Sequence, residues 1–298
     1  MKNLHELSRR NFLKTSGGLA SALMLPGALM AEPFLAKPKM QLGLVTYLWG
    51  KDWDLPTLIK NCEKAGIYGV ELRVNHAHGV EPSLSAAERK EVKARFKDSK
   101  LINLGPGTNQ EYHSADPAEV KKNIEGTKEY IKLSHDTGGS GVKVKPNGFN
   151  KEMSKEATIE QIGKALNECG KFAGDYGQQI RVEVHGRETQ ELPNIDKIME
   201  VADNKNVTVC WNCNNEDLNG QGLEYNFNLV KDRFGDTVHI RELNVGDYPY
   251  QQLMNLFVDM NYKGWILLEA RTDPGDRVAA LIEQKQLFEK MIKNAEQS

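Results

Sequence analysis

From Gln41 onward the chain alternates between short runs of β-branched and aliphatic residues and longer stretches whose apolar positions recur every three or four residues. The first run, Gln41–Tyr47, precedes a helical pattern over Leu55–Ala65. The same order repeats as Gly69–Val74 with Ser85–Lys97, Leu101–Gly105 with Pro117–His135, and Gly141–Lys145 with Thr158–Tyr176. It continues as Ile180–His185 with Pro193–Ala202, Val207–Asn212 with Glu224–Phe234, Thr237–Leu243 with Pro249–Met260, and Trp265–Glu269 with Asp276–Lys293. In the third helix Val120, Ile124, Thr127 and Ile131 mark one face, and Asp116-Pro117 is a start signal. Gly235 is a stop signal for the sixth. Strands alternating with helices predict a parallel sheet, and eight such units in roughly 265 residues predict a single closed (β/α)8 TIM barrel over residues 40–295. No Gly-rich dinucleotide fingerprint follows the first strand, which counts against a doubly wound nucleotide-binding sheet.

The segment before this rhythm is of another kind. Ser8-Arg9-Arg10-Asn11-Phe12-Leu13-Lys14 leads into an apolar stretch from Gly17 to Ala31. It resembles a twin-arginine export signal in its paired arginines, its Phe-Leu after one spacer and its trailing lysine. The stretch carries Pro26 and is short of the ~20 residues a membrane span needs. Residues 1–31 are therefore expected to be a signal peptide, with a cut after Ala31 despite Leu29 at the −3 position. No cysteine follows the apolar run, which speaks against a lipid anchor. The expected partner of this segment is the twin-arginine export machinery, and the expected location is the periplasm or another exported compartment.

Charge and cysteine content narrow the chemistry. Thirty-nine basic and 41 acidic residues are well mixed, for a net charge of −2. A nucleic-acid binder would show a basic excess or stripe, so no nucleic-acid partner is expected. Cys62 and Cys169 fall in expected helices and Cys210 and Cys213 near the end of a strand. A single Cys-x-x-Cys pair without a second one reads as packed thiols rather than a zinc site.

Active sites of such barrels lie at the C-terminal ends of the strands, which ranks the polar residues. Those ends carry Glu71 and Arg73, Lys143 and Lys145, Glu183 and His185, Asn212, Asn214 and Asn215, His239, Arg241 and Glu242, and Glu269 and Arg271. Ionisable residues are costly on strands with both faces buried, so their accumulation points to a site. Glu183 and Glu269 each follow an apolar run and share a face with ionisable neighbours. Two such carboxylates can serve as general base and acid on either side of a substrate carbon, or share a divalent cation. Trp49, Trp53 and Tyr47 could stack on a sugar ring. His76 and His78, after the second strand, have a spacing also seen at metal sites.

With these residues in place, the chain resembles the sugar phosphate isomerase/epimerase family, whose barrel is like that of xylose isomerase. The anchors are Gly69-Val-Glu-Leu72, Val182-Glu-Val-His185, Val209-Cys-Trp-Asn-Cys-Asn-Asn215, His239-Ile-Arg-Glu-Leu243 and Leu267-Leu-Glu269, in order on successive strands. The resemblance implies one divalent metal (manganese, magnesium or zinc) and proton transfer beside a carbonyl by two metal-binding glutamates. Carried over, those glutamates are Glu183 and Glu269. Where the family has a strand-six aspartate this chain has Asn212, and Asn215 stands where a histidine is often found. Arg241 matches the metal-binding histidine of strand seven, with His239 two residues earlier on the same face.

Two sites follow. In one, Glu183, Asn212, His239 and Glu269 hold the metal and Arg241 turns to the rim to grip substrate. In the other, Arg241 reaches the centre and its fixed charge leaves the site metal-free, since arginine has no lone pair to offer. Lys145, His185, Arg241, Asn215 and Trp49 are the expected substrate contacts, and Lys143, Arg73, Arg181 and Arg271 add positive charge if they face inward. The expected activity is isomerisation or epimerisation of a free sugar or sugar derivative. The alternatives are a lyase acting on a keto-sugar derivative and a non-catalytic carbohydrate-binding protein.

Overall fold

The computed structural model describes residues 40–297, and the expected signal at 1–31 lies outside them. Eight strands run parallel: β1 Gln41–Val45, β2 Gly69–Arg73, β3 Ile102–Gly107, β4 Gly141–Val144, β5 Gln179–Glu183, β6 Val207–Cys210, β7 Thr237–Ile240 and β8 Trp265–Leu268. Neighbours in sequence pair from β1 to β6 and from β7 to β8, and β1 pairs with β8, giving the order β6-β5-β4-β3-β2-β1-β8-β7. Between β6 and β7 the ring is drawn together by the His239 amide, which donates to the Trp211 carbonyl at 2.7 Å, and by a bridge between Val209 and Phe234. The expected TIM barrel is the observed fold.

Eight helices return the chain: α1 Leu55–Ala65, α2 Ala86–Lys97, α3 Pro117–Thr137, α4 Lys155–Asp175, α5 Leu192–Val201, α6 Leu223–Val230, α7 Tyr250–Asp259 and α8 Arg277–Ala295. Local signals set their ends. Asp54 accepts from the Thr57 amide ahead of α1, Ser85 and Glu88 form a capping box on α2, and Gly66 and Gly138 end α1 and α3 in the left-handed region. Ser154 caps α4, so that helix starts at Lys155, ahead of the expected Thr158. The first strand ends at Val45 rather than Tyr47, because Tyr47–Gly50 turns into a short helix.

Alternation divides each strand between two environments. Leu42, Leu44, Val70, Val142, Ile180, Val182, Val238 and Ile266 face the helices and form the main core. The lumen holds a small apolar layer of Val45, Leu104 and Leu267, and otherwise polar groups. Arg181 lies low in this lumen, 1% exposed, donating to the Leu104 carbonyl at 2.7 Å and to Ser140 Oγ at 2.6 Å. It faces inward as expected but plugs the barrel instead of lining its mouth. A groove of about 530 Å³ lies beside the start of β1, lined by Met40, Tyr68, Phe288 and Ile292, at the opposite end of the strands from the carboxylates.

β3 and β4 approach closely at Gly105, where φ is 114° and an added Cβ would overlap the Gly141 carbonyl oxygen. Gly105→Ala is expected to destabilise the barrel by about 3 kcal/mol. A lower urea midpoint with an unchanged slope would register this loss, whereas an unchanged midpoint would show that the two strands can separate at no cost.

Candidate active site

At the upper lumen the inward side chains of four strands meet. Glu71, Lys143, Glu183 and His239 are each no more than 2% exposed. Lys143 Nζ donates to Glu183 Oε2 at 2.6 Å and to the Thr108 carbonyl at 3.3 Å. The other oxygen, Glu183 Oε1, accepts from Asn212 Nδ2 at 3.1 Å and lies 3.9 Å from His239 Nδ1. His239 Nε2 is 3.2 Å from Glu71 Oε2. Charge thus alternates across the barrel from Glu71 through His239 and Glu183 to Lys143. Buried charges persist only when so paired.

Glu269, at the end of β8, completes the arrangement. Its carboxylate, with Glu183 and His239, offers three ligand atoms within 4.8 Å of one another. Arg271 approaches Glu269 Oε2 at 3.4 Å. Two further atoms bear on what this cluster can hold. His239 Nδ1 and Asn212 Oδ1 are buried and have no hydrogen-bond partner. Two carboxylates and an imidazole nitrogen form a donor set suited to manganese, magnesium or zinc, with the Asn212 amide beside Glu183 Oε1. The residues present fit a divalent cation, with Glu183 offering Oε1 because Lys143 occupies Oε2.

Electrostatic directions follow the contacts. Burial works against the Glu183 carboxylate, but Lys143, His239 and His185 outweigh it and hold its pKa well below the usual range. Glu71 is likewise lowered: burial opposes its charge, and His239 and Lys143 prevail. Burial disfavours a charged His239, yet the Cys210 sulfur and the Glu71 carboxylate raise it well above its ordinary value. Burial lowers His185 and Lys145, the latter aided by repulsion from Lys143.

The expected substrate contacts divide. Lys145 and His185 are half-buried above Lys143 and Glu183, and His185 Nδ1 is a buried atom without a partner. Arg241 Nη2 donates to Asn214 Oδ1 at 3.4 Å, and among the described residues its guanidinium forms no ion pair with Glu183 or Glu269. Asn215 is exposed on the rim and begins a 3₁₀ turn, Asn215–Leu218. Trp49 is buried beneath the loop after β8: it is 2% exposed and its indole N–H donates to the Thr272 carbonyl at 2.9 Å. Tyr47 and Trp265 pack on the lumen layer, and the Arg73 guanidinium lies 5.9 Å from the Tyr47 ring centre. His78 is spent on backbone contacts with Arg73 and Val80. His76 bonds Thr46 Oγ1 at 3.1 Å and is pushed down to about 4 by burial and by His78 and Arg73. All four cysteines are buried and free.

Supporting residues also emerge that the sequence did not mark. Asp217 is fully buried, accepts from the Asn214 amide at 2.9 Å and from the Tyr248 hydroxyl at 2.7 Å, and is pushed up to about 7 by burial. Through Asn214, which also donates to the Val184 carbonyl at 2.8 Å, it steadies the rim that holds Arg241. Glu242, flagged as a strand-end residue, accepts from the Arg271 and Thr272 amides at 2.8 and 2.7 Å and so pins the loop after Glu269. The Asn-Asn-Glu-Asp run at 214–217 has the composition of a surface turn, which gives no sign of the burial of Asp217.

Lys143→Met should leave Glu183 buried with half its partners, destabilising the fold by about 3–5 kcal/mol at neutral pH. Glu183 is depressed, so its stabilisation is present above the unfolded carboxylate value and is lost as pH falls through its folded one. Acid unfolding curves below about pH 4.5 should accordingly be shallower for the variant than for the parent. Equal stability and parallel curves would mean that the pair is not coupled to folding.

A family model described as a xylose isomerase-like TIM barrel matches residues 59–291, and the chain belongs to that family. It is 22% identical over 284 residues to an inosose dehydratase of Clostridium tetani, covering 80% of this chain and 92% of the relative. Among solved structures, the apo form of a 3-keto-D-glucoside 4-epimerase from E. coli superposes with a TM-score of 0.72 at 15% identity, covering 85% of this chain and 100% of that one. The structure of the IolI protein with a bound zinc atom superposes with a TM-score of 0.69 at 15% identity, covering 86% and 98%.

Proposed function

We propose that this chain is an enzyme that moves a proton at a carbon beside a carbonyl of a free sugar or sugar derivative, acting as an isomerase or epimerase. The observation that carries this reading is the meeting of Glu183 and Glu269 around His239, three ligand atoms within 4.8 Å at the C-terminal ends of the barrel strands. Two carboxylates so placed can address opposite faces of one carbon. A sugar-epimerising relative and a dehydratase relative on the same barrel fit that chemistry.

The two glutamates are not equivalent. Glu183 is committed to Lys143 and Asn212 and is held anionic, which makes it a weak base. Glu269 is bonded among the described residues by Arg271 alone, at 3.4 Å, and is the group that takes the substrate proton. Glu183 faces the other side and, with the Lys143 ammonium behind it, serves the return of a proton. Lys145 and His185 lie beside the oxygen on which negative charge develops, where donors lower the barrier most. A divalent cation held by Glu183, Asn212, His239 and Glu269 would polarise the carbonyl and an adjacent hydroxyl, as a Lewis acid does. The zinc bound by the IolI protein supports this assignment. Tyr47 and the rim residues Arg241 and Asn215 are placed to contact the remainder of the sugar.

A lyase is the second reading, favoured by the inosose dehydratase relative. The first step is the same. The carbanion then expels a hydroxyl at the next carbon, which leaves as water after taking a proton, in place of reprotonation. The export signal at 1–31 belongs to the same proposal and places the enzyme in the periplasm, where free rather than phosphorylated sugars are the available substrates.

Glu269→Gln and Glu183→Gln should each reduce exchange of substrate hydrogen with deuterated water by about 10²–10⁴-fold. Keto-sugars such as a 3-keto-D-glucoside and an inosose are the substrates to test. Mass and NMR analysis of the product separates an isomer from a dehydrated species, and undiminished exchange in both variants would sink the acid–base assignment. Replacing Arg9 and Arg10 by lysine should trap the protein in the cytoplasm on cell fractionation. Continued export would refute the signal.

A further inference from the structure

His239 can coordinate a cation only if its ring is turned so that Nδ1 faces Glu183 and Glu269 and carries no proton in the bound state. What sets that orientation lies on the far side of the barrel. Glu71, on β2, sits 168 residues away in sequence, and its Oε2 is 3.2 Å from His239 Nε2. A carboxylate can only accept, so Nε2 must hold a proton, and Nδ1 is the nitrogen left to give up its proton to a cation. Nδ1 is buried, has no partner and lies 3.9 Å from Glu183 Oε1.

Glu71 is itself held in place with some care. It is 1% exposed, and its second oxygen, Oε1, has no hydrogen-bond partner. That oxygen occupies the space directly over Gly107 on β3, where an added Cβ would overlap it. Gly107 needs no special backbone angle; the missing Cβ leaves room for the carboxylate. Arg73, two residues on, closes the same corner by donating to the Gly107 and Thr108 carbonyls at 3.1 and 3.3 Å. Beyond the ion pair with His239, Glu71 touches neither the rim nor a rival cation at bonding distance among the described residues.

We infer that Glu71 is a positioning residue for the metal site: by accepting from Nε2 in the room left by Gly107, it presents Nδ1 of His239 as the nitrogen ligand. This rests on the metal reading of the site. Partners of this kind commonly contribute 10–100-fold to metal affinity.

Manganese titration calorimetry on the full chain and its variants tests the inference, with ¹⁵N-histidine NMR of the zinc-loaded parent as an independent readout. Glu71→Ala should bind manganese about 10–100-fold more weakly. Glu71→Gln, which keeps an acceptor oxygen, should recover part of that loss. Gly107→Ala leaves Glu71 present but crowds Oε1, and should weaken binding several-fold. The zinc-loaded parent should show His239 protonated at Nε2 and coordinated through Nδ1. Parental manganese affinity in a Glu71→Ala protein that melts like the parent would overturn the role of Glu71. So would coordination through Nε2, a result that stands even if the alanine variant does not fold. Failure of the parent to bind either metal would instead overturn the metal reading, and this inference with it.

Discussion

Four ionisable side chains shut inside the barrel can each stay there only because the next one neutralises it. Glu71 faces His239, His239 faces Glu183, and Glu183 faces Lys143 at 2.6 Å. Removing any one would leave a charge in a medium where it costs several kcal/mol. The rest of the mouth is built around this row. Asn212 uses its amide to donate to Glu183, something an aspartate could not do. The last glutamate, Glu269, lies just past the end of β8, outside this row, and is bonded by Arg271 at 3.4 Å.

The same row explains how the site can be compatible both with a cation and with its absence. Lys143 occupies one oxygen of Glu183 and leaves the other facing His239. A metal would add charge on that second side without displacing the lysine. Arg241, whose charge would oppose it, donates to Asn214, which Asp217 and Tyr248 hold from below. The partner of the arginine therefore comes from the loop after β6, not from the strand that carries it.

Most of the fold was legible in the sequence because it depends on local repetition. Eight β-branched runs, each followed by a helix, leave few other solutions, and Asp54, Ser85, Asp116 and Asp276 mark helix starts in plain view. Strand ends were read too long where the next residues turned, as at Tyr47–Gly50. That turn also buries Trp49, an expected substrate contact, against the loop at Thr272. In the site, Glu183, Glu269 and His239 stood out as charges at the ends of apolar strands. The pairing of His239 with Glu71 did not, since it joins β2 to β7 across a lumen that exists only once the ring has closed. Asp217 was hidden for a related reason: a polar turn in sequence reads as surface, and only packing of Tyr248 over it makes it buried.

The most direct test of the metal-centred site is a crystal structure of the protein soaked in manganese, with anomalous scattering recorded at a wavelength where the metal is visible. A single peak bounded by Glu183, Asn212, His239 and Glu269, with Lys143 still on the outer oxygen of Glu183, is the expected result. A centre without a peak, or one with metal bound elsewhere while His239 keeps its distance from Glu183, would contradict it.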